Sequence, residues 1–171
     1  MRRLGPLATA LIGLLAGGPA SAQMTKAFQV SADIVNGCLV ATGGSGHWGD
    51  IALGSVSSSA TGTVEADLLS GGANGIQIDC TPGLTVSLTA DNGNQPSGGV
   101  RQLAIAGNAS ARVPYQLYAN GSATPWTSQA VSLSFPAGTS HMAFPVHAKA
   151  TLPGSMVAGA YSDTVRVTLS W

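Results

Sequence analysis

Between residues 24 and 171 the apolar side chains recur at every second position, in runs of a few residues each. Ile76, Ile78 and Cys80 alternate with Gln77 and Asp79, and Leu84, Val86, Leu88 and Ala90 with Thr85, Ser87 and Thr89. Leu103 and Ile105 form a shorter run. Val113, Tyr115 and Leu117 follow, then Val131, Leu133 and Phe135, then Met142, Phe144, Val146 and Ala148. A period of two is the signature of strands with one buried face. The runs are separated by turn-forming segments: Gly43-Gly44-Ser45-Gly46, Asp91-Asn92-Gly93-Asn94, Pro96-Ser97-Gly98-Gly99, Asn120-Gly121-Ser122 and Pro153-Gly154. The best helical stretch, Thr63 to Leu69, has room for two turns before Ser70-Gly71-Gly72 ends it. Short strands with regular turns predict an all-β, antiparallel sandwich. No internal repeat or long linker divides it.

The chain opens with Met1-Arg2-Arg3, an apolar run from Leu4 to about Gly18, and Pro19-Ala20-Ser21-Ala22. That is a basic leader, an apolar centre and a small-residue cleavage site, so residues 1–22 read as a signal peptide. The run is short and broken by Gly5, Pro6 and Gly13, which argues against a membrane anchor. Cleavage leaves 149 residues, enough for one domain with a real core. The formal charge is zero over the whole chain, but Arg2 and Arg3 leave with the signal. Five basic and seven acidic residues then remain, and the net charge becomes −2. No basic patch exists for nucleic acid. In an exported chain, Cys38 and Cys80 are expected to form a disulfide rather than remain free thiols. A closed loop of this size stabilises by about 4 kcal/mol in the chain-entropy model.

The sequence offers little catalytic chemistry. Gly44-Ser45-Gly46-His47-Trp48-Gly49 matches a dinucleotide fingerprint, but a strand rather than a helix is expected to follow it at Asp50-Ile51-Ala52-Leu53. His141 and His147, read as one strand face, would stand roughly 20 Å apart, too far to share a metal ion. Glu65 and Asp67 have no evident acid–base partner, and no nucleophile elbow is present. No cofactor or enzymatic activity is expected. Tyr115, Tyr118, Trp126 and Trp48 could line a sugar-binding face, although aromatics make up only 5% of the chain.

The two ends of the mature chain are both strand-like. Met24, Phe28, Val30, Ala32 and Ile34 share one parity, with Lys26 interrupting it. This strand has no hairpin partner before it. At the other end Val165, Val167, Leu169 and Trp171 share a face against Thr164, Arg166, Thr168 and Ser170, and nothing follows to cover their edge. An uncovered apolar edge invites pairing with another chain.

Five segments, in order, resemble the spore coat protein U domain, the fold of archaic chaperone–usher pilins. They are Phe28–Ala32 leading to Gly37-Cys38, His47-Trp48-Gly49-Asp50, Ile76–Thr81, Tyr115-Gln116-Leu117-Tyr118, and Gly159–Leu169. Trp171 stands where the family commonly ends in Tyr or Phe. The resemblance implies an incomplete immunoglobulin-like β-sandwich, the pilin fold, lacking its final strand and completed by a donor strand. Residues 23–36 would then be the donor extension and 37–171 the pilin domain. Phe28, Val30, Ala32 and Ile34 would be the plug. Val165, Val167, Leu169 and Trp171 would wall the acceptor groove and also receive a chaperone. The implied partners are other copies or related subunits in a head-to-tail polymer, a periplasmic chaperone and an outer-membrane usher. The implied destination is the cell-surface fimbrium, with a role in adhesion or biofilm. A non-fibrous coat or surface protein, and a sugar- or surface-binding adhesin, are the alternatives.

Overall fold

A computed structural model describes residues 24–41 and 46–171. The expected signal peptide and the Gly43–Ser45 turn lie outside these residues. Val35–Trp171 forms one compact unit, and the residues up to Ile34 belong to another.

Among its described residues the larger unit contains thirteen strands and no helix. They are β1 (Cys38–Val40), β2 (Asp50–Ile51), β3 (Thr61–Ser70), β4 (Ala73–Asn74), β5 (Ile76–Cys80), β6 (Thr85–Ala90) and β7 (Arg101–Ile105). Then follow β8 (Asn108–Ala119), β9 (Val131–Ser134), β10 (His141–Phe144), β11 (Val146–Pro153), β12 (Tyr161–Ser162) and β13 (Val167–Ser170). The largest sheet has the order β12-β7-β8-β11-β3-β2, with β4 added to β3. Two three-stranded sheets, β1-β5-β10 and β13-β6-β9, complete the sandwich.

Alternation becomes a core as predicted. Ile76 and Ile78 of β5, Val86 and Leu88 of β6, Leu133 of β9, and Val113, Leu117, Ala148 and Ala150 of β8 and β11 form one buried cluster. Each large aliphatic group buried there contributes about 1.5–3 kcal/mol. Trp126 closes the cluster, edge-on to Phe144 at 5.5 Å, with its indole N–H donated to the Gln129 carbonyl.

The chain passes from one sheet to another repeatedly, and three of these crossings follow from particular residues. The run from Met142 to Ala148, expected as a single strand, is split at Pro145, which has no N–H to give a ladder. β10 therefore pairs with β5, and β11 pairs with β3 and β8. At Gly75, between β4 and β5, φ is +80° and a Cβ would lie 2.7 Å from the Phe144 carbonyl oxygen, so only glycine fits the crossing. The last crossing separates β12, on β7, from β13, on β6.

Other expectations change as well. Thr63–Leu69 is not helical; it lies within the ten-residue β3. The terminal strand spans Val167–Ser170 rather than 164–171, leaving Val165 before it and Trp171 after it. Cys38 stands opposite Cys80 in the β1–β5 ladder, and the two sulfurs are bonded.

The three histidines are exposed to varying degrees, and each meets a carboxylate. His47 lies 3.0 Å from Asp50, and His141 lies 2.6 Å from Asp79. His141 and His147 stand on strands of different sheets, so their expected common face does not exist. On the outer face of the largest sheet, His147 and Lys149 sit opposite Asp67 and Glu65. His147 bridges Asp67 at 2.8 Å and Glu65 at 3.2 Å, and Lys149 reaches Glu65 at 2.7 Å. The two carboxylates therefore do have cross-strand partners.

Two predictions follow from these contacts. Breaking the disulfide with Cys38→Ser or Cys80→Ser should cost about 2–5 kcal/mol, read as a lower urea midpoint and a lower yield of exported protein. The hydrogen bond that His147 donates to Asp67, with help from Glu65, raises its imidazole above its ordinary value. The pair's contribution is thus complete below about pH 6.5 and fades as pH rises through the raised value. His147→Gln should be less stable than wild type at pH 6, and the gap should narrow on going to pH 9. A gap independent of pH would show that the pair contributes nothing through charge.

Candidate functional site

The core is open along one side. A groove of about 1460 Å³ runs between two walls. Trp48, Ile51 and Leu53 form one wall, and Tyr161, Val165 and Val167 the other. The floor includes Leu68, Val113, Leu117, Ala148 and Ala150. The two alanines face Leu117 and Tyr115 across the β8–β11 ladder, and their short side chains leave depth between the walls.

Local sequence explains both walls. Ile51 and Leu53 share a parity, so both turn toward the core while Asp50 and Ala52 turn away. Trp48 is brought in by Gly49, whose φ is +147° and where a Cβ would lie 2.6 Å from the Leu69 carbonyl oxygen. The other wall is suspended on two carboxylates. Asp163 accepts the Tyr115 hydroxyl at 2.6 Å and the amides of Asn94 and Thr164 at 2.8 Å each. Asp91 accepts the amides of Gly93 at 2.9 Å and Arg166 at 3.0 Å, with the Arg166 guanidinium 3.4 Å away. Burial acts to raise the Asp91 carboxyl, but the two amides and Arg166 outweigh it and hold it below its ordinary value. Burial first, and the Asp163 carboxylate second, push the Tyr115 phenol far up, so it remains a donor.

Beneath this lies Arg101, a buried cation that caps backbone carbonyls. Its guanidinium donates to the Asp91 carbonyl at 2.9 and 2.6 Å, to Trp126 at 2.5 Å and to Thr127 at 2.9 Å. It thereby fixes the chain from which Asp91 projects.

The predicted residues fall in different places. Val165 and Val167 line the groove. Leu169 pairs with Leu88 and packs on the core, and Trp171 is 60% exposed beyond the strand; neither lines the groove. Residues 24–37 form neither helix nor strand. Phe28, Val30 and Ile34 are 87%, 82% and 93% exposed, and Ala32 is exposed too. Of the four aromatics suggested as a sugar face, Trp48, Tyr115 and Trp126 all line the groove, Tyr115 and Trp126 as buried side chains, whereas Tyr118 donates to Gln116 near the outer-face His147. The wall from Trp48 to Leu53 and the alanine floor were not singled out from sequence. The Trp48-Gly49 pair was their clearest trace.

Comparison with known proteins places this geometry. No curated protein sequence matches the chain. Among solved structures it is similar to a chain in the CsuC–CsuE chaperone–tip adhesion subunit pre-assembly complex from archaic chaperone–usher Csu pili of Acinetobacter baumannii. There the TM-score is 0.53 and the identity 18%, covering 81% of this chain and 40% of that one. It also matches a chaperone–tip adhesin complex of CFA/I fimbriae biogenesis, with a TM-score of 0.47 and 15% identity, covering 79% of this chain and 42% of that one. The chain thus spans about two fifths of the length of the solved chains it matches. The first likeness shows a shared fold. The sequence model of the Spore Coat Protein U domain matches residues 24–168, and the chain belongs to that family.

Proposed function

We propose that this chain is a structural, non-enzymatic subunit of a chaperone–usher pilus and polymerises by donor-strand exchange. One pairing of observations carries the reading. The unit Val35–Trp171 leaves an apolar groove open, while residues 28–34 carry an alternating apolar sequence whose large side chains, Phe28, Val30 and Ile34, are exposed. The two match in chemistry. Phe28, Val30, Ala32 and Ile34 span roughly 20 Å as a strand, and a strand needs an edge to pair with. Seating these side chains would supply on the order of 10 kcal/mol before ordering costs, the scale of a domain's stability. Because donor and acceptor lie on different parts of one subunit, the contact is head-to-tail and grows a filament.

In this reading residues 1–22 direct export. A periplasmic chaperone occupies the groove until the extension of the next subunit, a copy or a relative, displaces it at an outer-membrane usher. Val165 and Val167 are wall residues in both states. Leu169 supports the wall from behind through its pairing with β6. Trp171 is left for the groove's outer margin. The product is a cell-surface fimbrium serving adhesion or biofilm formation.

Deleting residues 23–34 should give a subunit that still binds its chaperone but forms no fibres, seen by electron microscopy and by laddering on gels. Fibres from the deleted chain would end the proposal. Phe28→Asp, on the plug face, should reduce polymer at least tenfold, whereas Ser31→Asp, on the opposite face, should have little effect. Equal losses would mean that the two faces were assigned wrongly.

A further inference from the structure

Asparagine precedes glycine four times in this chain, at Asn36-Gly37, Asn74-Gly75, Asn92-Gly93 and Asn120-Gly121. Such a pair holds an electrophile and a nucleophile side by side. The glycine amide nitrogen, once it has lost its proton, can attack the asparagine Cγ, because glycine has no side chain to block the approach. The attack requires an amide proton that reaches solvent, the same condition that governs hydrogen exchange. The fold treats the four amides differently, and three are held. The Gly37 amide donates to the Thr81 hydroxyl at 3.1 Å, and the Gly37 carbonyl accepts the Thr81 amide at 3.0 Å. The Gly75 amide donates to the Leu68 carbonyl at 2.8 Å, and Gly75 is buried against the Phe144 carbonyl. The Gly93 amide donates to the Asp91 carboxylate at 2.9 Å, with the Asp163 side chain packed on the same glycine.

Gly121 is the exception. Asn120 has a φ of +53° and Gly121 a φ of +73°, both positive as in a type I′ turn. The turn closes when the Ser122 amide donates to the Ala119 carbonyl at 3.0 Å, which leaves the central amide, that of Gly121, on the outside. Among the described residues that amide donates to no group, and Asn120 and Gly121 are both exposed. Asn120 is also the one described residue besides glycines with a positive φ, a conformation that asparagine tolerates better than most side chains. The chain on either side is anchored independently. The Asn120 amide donates to the Pro145 carbonyl at 2.8 Å, and Trp126 gives its amide to the Leu117 carbonyl at 2.7 Å and its indole N–H to Gln129.

We propose that Asn120 is a site of spontaneous covalent modification, at which the folded protein converts asparagine to aspartate and isoaspartate. The deprotonated Gly121 nitrogen forms a bond to the Asn120 Cγ. The Cγ–Nδ2 bond then breaks, and Nδ2 leaves as ammonia with a proton taken from water. The product is a five-membered succinimide. Water opens either of its two carbonyls, giving aspartate from one and isoaspartate from the other. The sum is one water consumed and one ammonia released, with no oxidant, reductant or cofactor. Each chain gains one negative charge, which takes residues 23–171 from −2 to −3. The isoaspartate branch also lengthens the turn by one backbone carbon. Trp126 keeps its own hydrogen bonds, so the change stays in the turn and accumulates in folded protein.

Peptide mapping tests the site. The full exported chain is kept folded at mildly alkaline pH, sampled over time and digested. Mass spectrometry scores each asparagine for conversion, with fragmentation that separates the two isomers. Conversion at Asn120 should be roughly tenfold faster than at Asn36, Asn74 or Asn92, the factor expected when a hydrogen bond must open before the amide is free. In urea all four should convert at similar rates. Conversion of any of the other three as fast as Asn120 in the folded chain would overturn the proposal. The same ranking in urea would also overturn it, by tracing the selectivity to local sequence instead of the fold. So would a folded chain in which Asn120 stays intact while the urea sample converts. As a second measurement, Asn120→Gly keeps the turn, since glycine takes positive φ freely, and should abolish the acidic species that builds up on isoelectric focusing. An acidic species forming at an unchanged rate in that variant would refute the assignment.

Discussion

Two carboxylates, Asp91 and Asp163, carry the end of the chain from one sheet to the other. Without them the segment between β12 and β13 would have amides at Thr164 and Arg166 with no strand to receive them, since neither sheet extends there. Side-chain oxygens substitute for the missing ladder, and the segment holds its position as a wall. The cost of placing those charges beside the core is offset by four backbone amides, a phenol and a guanidinium. Arg101 extends the support inward, because its planar fork collects carbonyls from both the Asp91 and the Trp126 segments. The groove is wide because this wall is fixed by polar geometry and is not free to collapse on the alanine floor.

That division of labour separates stability from assembly. The sandwich is held by a continuous apolar cluster, a disulfide and the polar suspension of its last strand, all contained within Val35–Trp171. The groove lining is apolar but touches the same cluster from one side only. In the proposed assembly, a strand that fills it would extend a core that already exists. Small residues at Ala148 and Ala150 would be required there, since larger groups would close the sandwich more completely and leave less to bind.

Much of the fold was legible because period-two alternation survives in β5, β6, β8 and β9, where one face is buried and the other is not. It failed where other forces intervened. In β3 the inward residues are Val64, Ala66 and Leu68, but Glu65, Ala66 and the Leu68-Leu69 doublet look helical until cross-strand partners on β11 override propensity. The parity from Met142 to Ala148 continues across Pro145, so pattern alone cannot reveal that the sheet changes there. The boundaries of the last strand depend on contacts with residues some seventy positions away, which no local window contains. Of the groove, Val165 and Val167 were visible as an apolar face. Ile51 and Leu53 were legible as part of a strand and Trp48 as part of the resembling His47–Asp50 segment, but β2 is only two residues long, too short for its pattern to mark it as a groove wall.

The disulfide sits four residues after Ile34. In a filament joined through residues 24–34, any pull along the fibre enters each subunit at Cys38. There a covalent bond hands the load to Cys80 and so to β5, whose inward side chains are among the most deeply buried in the protein. The three residues of β1 are never asked to hold by hydrogen bonds alone. Force would thereby be diverted around a ladder of only three residue pairs, and the point of yielding would move to the non-covalent strand between neighbours, where a broken contact can re-form.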